Sequence, residues 1–223
     1  PGTLYMDLLG GLIKRMPKTA AVFAIGSVAI CGLPPLNGFV SEFILYYGGF
    51  FAEITDGLPL VVPTVAAIAS LAIIGGFAMA AFTKVFGIIF LGEPRSQQAV
   101  KAHEAAAEMN FAMQLLAGLC VIVGLTAPLI LPFVVSASNS VAGLSTEQIT
   151  AQIVPVKKIL FIISIVSVTL VIFVLVLMIL RKKMLSKNPV TQSPTWDCGY
   201  IGATSRMQYT SSSFAAPPVP LFR

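Results

Sequence analysis

Apolar residues in this chain gather into long runs instead of alternating with polar ones. Four such runs cover roughly residues 19–50, 60–91, 110–135 and 156–180. Each reaches or exceeds the roughly 20 residues that a helix needs to cross about 30 Å of hydrocarbon. Barrel strands would appear as short segments of alternating hydrophobicity, a pattern that none of the runs has. The chain is therefore predicted to be an all-α, polytopic transmembrane helix bundle of about four spans. The first run is interrupted by ICGLPPLNGFVSEF, residues 30–43. Its glycines depart readily from helical geometry and its prolines remove backbone donors. The expected span is a discontinuous helix broken at Gly32–Gly38, with Gly32, Pro34, Pro35, Asn37 and Gly38 making the break.

The placement of charge decides between one broken span and two short ones. Lys14, Arg15 and Lys18 precede the first run, Arg95 and Lys101 follow the second, and Arg181, Lys182, Lys183 and Lys187 follow the fourth. Between the first two runs the only charges are Glu53 and Asp56. With one span per run, the basic flanks share one face, cytoplasmic by the positive-inside rule. Splitting the first run would set Lys14, Arg15 and Lys18 opposite the others. Lys157 and Lys158, at the head of the fourth run, stand against the pattern. The layout expected is a cytoplasmic loop at 1–18, three transmembrane helices in 19–135, an external loop at 136–155, a peripheral transmembrane helix at 156–181 and a cytoplasmic tail at 182–223.

The fourth run is Leu-rich and β-branched, as suits a lipid-facing helix. The first three carry Gly26, Gly32, Gly75, Gly76, Gly118 and Gly124, which permit close helix packing. The tail is rich in Ser, Thr and Pro, and its Trp196, Tyr200, Tyr209 and Phe214 are candidate anchors to a partner or to the membrane surface.

Composition agrees. The chain of 223 residues is 57% hydrophobic and only 10% charged, with a mean hydropathy of +0.91. A soluble domain carries about 25% charged residues, so lipid is expected to take the place of much of the water contact. The formal charge of +5 sits mostly at the flanks of the runs. Cys31, Cys120 and Cys198 lie far apart without CxxC spacing, which points to neither a disulfide framework nor a metal site. The opening PGTLYMDLLGG has neither an initiator Met nor a signal-peptide pattern, and it reads as part of something larger.

Two charges inside the runs carry the candidate chemistry. Glu42 lies about 10 Å inside the first run at 1.5 Å per residue. A carboxylate lacks the stem to snorkel that far, so it needs a cavity, a partner or a proton. It is a candidate proton relay; a structural ion pair and a misplaced span boundary are the alternatives. Lys84 in AAFTKVFGIIF is the second candidate relay, with snorkelling to the headgroups as its alternative. The two are expected toward opposite faces of the membrane, as separate stations. His103 and Glu104, with Glu108 nearby, are a candidate cytoplasmic proton entrance, against the plainer reading of an ordinary loop histidine. There is no phosphate loop, metal-ligand cluster or nucleophile–base pair, so no cofactor, metal or catalytic residue is expected in this chain.

GGLIKRMPKTAAVFAIGSVAICGLPPLNGFVSEF resembles the signature region of proton-conducting antiporter-like membrane subunits. These belong to NADH–quinone oxidoreductases, multisubunit Na+/H+ antiporters, membrane-bound hydrogenases and formate hydrogenlyase. KVFGIIFLGEPRS and TWDCGYIGATSRMQYTSSSF are similar to the hydrogenase-4 component B and formate hydrogenlyase subunit 3 branch. The resemblance implies inverted repeats, each with one discontinuous helix; 19–135 would belong to the second, and the chain to the C-terminal part of such a subunit. Glu42 would match the titratable residue of the broken helix, and Lys84 a basic residue in the helix after it. The implied function is proton translocation within a redox-driven complex, as a non-catalytic subunit in a prokaryotic inner membrane. A Na+/H+ antiporter module and a scaffold without its own ion path are the alternatives. Implied partners are lipid, other membrane subunits, a chain supplying the missing N-terminal helices and, indirectly, hydrophilic redox subunits, with no nucleic acid.

Overall fold

A computed structural model describes residues 3–56, 58–142, 146–186, 208 and 210, with side chains described outside 51–60 and 138–152. Two short 3-10 turns, Met6–Leu8 and Leu12–Lys14, lead into α1 (Pro17–Ile30) and α2 (Asn37–Asp56). Next come α3 (Leu58–Phe90), the short α4 (Gln97–Val100), α5 (Ala107–Leu125), α6 (Ala127–Ala142) and α7 (Thr146–Leu185). The described residues are all-α. Three of the helical segments are long and apolar enough to cross a membrane: Val61–Phe90, Ala107–Leu125 and Ile153–Leu185. Pro17–Ile30 and Ala127–Ala137 are apolar but shorter. The chain is a membrane-spanning helix bundle.

Two expectations change. The third run is not one helix, because the α-helix lapses at Thr126 between α5 and α6. Pro128 cannot donate to the carbonyl four residues back, and the Thr126 hydroxyl donates to the Ile122 carbonyl at 2.7 Å. The segment 136–155, expected as a loop, is helical wherever it is described: α6 continues to Ala142 and α7 already starts at Thr146. Polarity alone suggested a loop there, yet a helix continues into polar sequence while its own hydrogen bonds are kept. Trp196, Tyr200, Tyr209 and Phe214 lie outside the described residues.

The chain divides into two compact units. One comprises Pro1–Ala24, Ala80–Gln114 and Ile179–Arg223; the other comprises Ile25–Met79 and Leu115–Met178. In the first, Leu9, Leu12, Ala20, Phe90, Ala99 and Ala102 form the core, with Phe23 and Phe86 packed against it. The Phe23 and Phe90 rings meet at 5.2 Å. In the second, Ala127, Leu131, Val156 and Leu160 form the core, flanked by Phe43 and Tyr47 of α2. Along α7, by contrast, every residue from Val168 to Leu180 is exposed.

Candidate functional site

The break between α1 and α2 is built from the backbone outward. Gly32 has φ +64°, in the left-handed region that favours glycine. The Gly32 N–H donates to the Ala29 carbonyl at 3.2 Å and the Leu33 N–H to the Val28 carbonyl at 3.3 Å. Those two bonds make a Schellman motif, which ends α1 and satisfies carbonyls the helix would otherwise leave unpaired. Pro34 and Pro35 come next and cannot resume the helix; α2 starts at Asn37. The sequence named Gly32, Pro34, Pro35, Asn37 and Gly38 as the break; the left-handed Gly32 turn is what terminates α1, the prolines follow it, and Asn37 and Gly38 already belong to α2.

The turn is also crowded. A Cβ on Gly38 would collide with the Ala29 carbonyl oxygen, and one on Gly124 of α5 would collide with the Pro35 carbonyl oxygen. Backbone meets backbone at both points, so only glycine fits.

Glu42, one turn and a half into α2, reaches back over this turn. A Cβ on Gly32 would overlap both carboxylate oxygens, so the bare Cα of Gly32 is the floor on which the carboxylate rests. Cys31 lies close enough to share its electrostatic field. Glu42 is half-buried and, among the described residues, makes no ion pair. The structural ion pair weighed for it from the sequence therefore has no counterpart in the described residues.

Lys84, in the other compact unit, is half-buried on α3. Among the described residues it too has no ion pair.

His103 and Glu104 do not face one another through their titrating groups. His103 is exposed, and its Nδ1 lies 2.9 Å from the Glu104 main-chain carbonyl oxygen. The Glu104 carboxylate instead receives the Lys18 N–H at 2.7 Å, the Thr19 N–H at 3.4 Å and the Thr19 hydroxyl at 2.8 Å. It caps the N-terminus of α1 from a distant loop, using N–H groups that have no partner within the helix. Burial pushes this carboxyl up, but the Thr19 hydroxyl, the two backbone donors and the Lys18 ammonium outweigh it and hold the group below the usual carboxylate range. Glu108 is exposed on α5.

Sequence reasoning passed over a second cluster in the same unit. Arg95 Nη1 donates to the carbonyls of Leu9 at 2.7 Å and Ile88 at 3.0 Å, and Nη2 to Gln208 Oε1 at 3.4 Å. Gln208 Oε1 accepts the Glu93 N–H at 3.1 Å and its Nε2 donates to the Glu93 carbonyl at 3.4 Å. Lys14 Nζ meets Glu93 Oε1 at 2.5 Å, with both side chains about 60% exposed (60% and 63%). So exposed a pair contributes at most about 1 kcal/mol. The signal for this cluster was present as the polar GEPRS after α3, but nothing local in the sequence links it to Gln208.

The architecture is that of a multi-pass membrane protein with an acid from an apolar run seated on a helix break. A family model described as NADH:quinone oxidoreductase/Mrp antiporter, TM, matches residues 2–66, which include the break. The chain is 42% identical to hydrogenase-4 component B of Escherichia coli (strain K12) over 127 residues, 57% of this chain and 19% of that protein. It is 31% identical to formate hydrogenlyase subunit 3 of the same organism over 215 residues, 95% of this chain and 33% of that protein. To a Na(+)/H(+) antiporter subunit of Bacillus subtilis (strain 168) it is 45% identical over 49 residues, 22% of this chain and 10% of that protein. The chain thus spans about a third or less of the length of these relatives. It belongs to the family of NADH–quinone oxidoreductase-related membrane subunits that also includes hydrogenase-4, formate hydrogenlyase and Na+/H+ antiporter subunits.

Proposed function

We propose that this chain carries part of a proton path in a redox-driven complex of a bacterial inner membrane, with Glu42 and Lys84 as relay groups. In this reading α1 and α2 form one broken span, giving about four spans in all, with the basic flanks and the tail on the cytoplasmic side. Its partners are the other membrane subunits of the complex, including helices of the kind its longer relatives have beyond the matched segment. Hydrophilic redox subunits act on it at a distance. The observation that carries the reading is the seat of Glu42: a carboxylate laid on a non-helical turn within an apolar run. Interrupted helices with free backbone ends are the usual setting of ion sites at membrane depth, where irregular backbone is tolerated only against protein or a wet cavity. An acid held there without an ion-pair partner among the described residues is available to take up and release a proton.

Glu42→Gln keeps the shape of the side chain and removes its titration. In vesicles containing the assembled complex, redox-linked proton uptake is expected to fall to the background leak while assembly is unchanged. Uptake that survives the substitution in a fully assembled complex would refute the relay and leave the chain as a scaffold. A second reading, a Na+/H+ antiporter module, draws support from the likeness to the Na(+)/H(+) antiporter subunit of Bacillus subtilis. In that case flux through the vesicles depends on sodium, and Glu42→Gln abolishes the sodium dependence.

A further inference from the structure

The geometry points to a binding groove for one anionic phospholipid along α7, with Lys158 at the headgroup and the α1–α2 corner clasping an acyl chain. The groove has a volume of about 590 Å³ and runs between Pro35 and Phe39 at the corner and one face of α7. On α7 its wall includes Ile162, Val166, Leu170 and Val174, which succeed one another at intervals of four residues and so form a single ridge. The preceding member of that ridge is Lys158, exposed, with Lys157 exposed beside it.

Length and lining select the occupant. At 1.5 Å per residue the ridge starts about 6 Å from Lys158 and runs for about 18 Å from there, the depth of one leaflet and a little more. A flexible hydrocarbon chain fits a groove of that length. Apart from Ser167, the α7 wall of the groove supplies no small residues against which a second helix could pack closely, and a lipid chain needs none.

Charge selects the headgroup. Lys157 and Lys158 are the basic pair that runs against the charge sidedness of the other flanks. An anionic phosphate held where the fourth apolar run begins accounts for two ammonium groups at that point. A headgroup of net negative charge, such as phosphatidylglycerol, leaves their charge balanced; a zwitterionic one brings its own cation and competes with them.

The test uses the assembled membrane complex containing the full chain. With a photoreactive benzoylphenylalanine in place of Val166, illumination in phosphatidylglycerol-containing membranes is expected to give a phospholipid adduct on this chain. Native mass spectrometry of the wild-type complex should retain phosphatidylglycerol through delipidation. Lys158→Glu is expected to cut that retention about tenfold, whereas Lys101→Glu, at an exposed residue that does not line the groove, leaves it unchanged. Adducts from position 166 to a polypeptide would overturn the proposal in favour of a partner helix. Retention of phosphatidylglycerol unchanged by Lys158→Glu would overturn it as well.

Discussion

Gly32 and Glu42 are ten positions apart in sequence and in contact in space, and each constrains the other. An alanine at 32 would have to adopt a left-handed conformation, at a cost of about 1–2 kcal/mol, and its Cβ would strike the Glu42 carboxylate. That carboxylate is the far end of a flexible side chain and can swing aside, so Gly32→Ala is expected to cost about the backbone amount and to displace Glu42 from its seat. In a Glu42→Ala background the cost should be the same, which a double-mutant cycle of unfolding in detergent measures directly. At Glu104 the consequence is a pH dependence. Its carboxyl is held below the usual range in the folded chain, so the stability it lends is fully present above that range and is lost as pH falls through the folded value. Glu104→Ala is expected to cost about 1 kcal/mol, as for loss of a helix cap. The protection of the Lys18 and Thr19 amides, taken against intrinsic exchange at the same pH, should fall in the variant at neutral pH and in the wild type only on acidification.

At the scale of elements, α5 supports the break from outside. Gly124 sits against the Pro35 carbonyl, whereas Gly118 on the same helix faces open space. Gly124→Ala should destabilise the chain by about 1–3 kcal/mol, since the obstructing atom is backbone and cannot rotate away. Gly118→Ala should be neutral or stabilise by up to about 1 kcal/mol, from helix propensity alone. Thermal unfolding of the two variants side by side separates packing from propensity. A reversal of their order would mean that α5 does not press on the break. Of these elements the apolar runs were legible from sequence, and so was the interruption of the first. The lapse at Thr126 was not inferred, although Pro128 and Pro132 were visible, because length and hydropathy do not distinguish one span from two shorter helices.

Across the whole molecule, residues far apart in sequence close the polar corner around Arg95. Gln208 pairs with both main-chain groups of Glu93, 115 residues away. Gln208→Ala removes both bonds, and a cysteine pair at 93 and 208, with the native cysteines replaced, reports the proximity directly. Efficient oxidation of that pair is expected in the otherwise intact chain, and its absence would mean that position 208 does not dock at this corner. Composition and run length were enough to establish a membrane-embedded, all-α chain and to point to an interruption in its first apolar run, which the structure places at residues 31–36, with Glu42 as the acid beside it. Those properties are set within a few residues, by hydropathy and by backbone chemistry. Packing in three dimensions was needed to seat Glu42 on Gly32, to cap α1 with a Glu104 carboxylate turned away from the His103 ring, and to join Gln208 to Arg95. Each of these depends on which backbone donors and bare Cα atoms the fold brings within about 3 Å, and no local pattern encodes that distance.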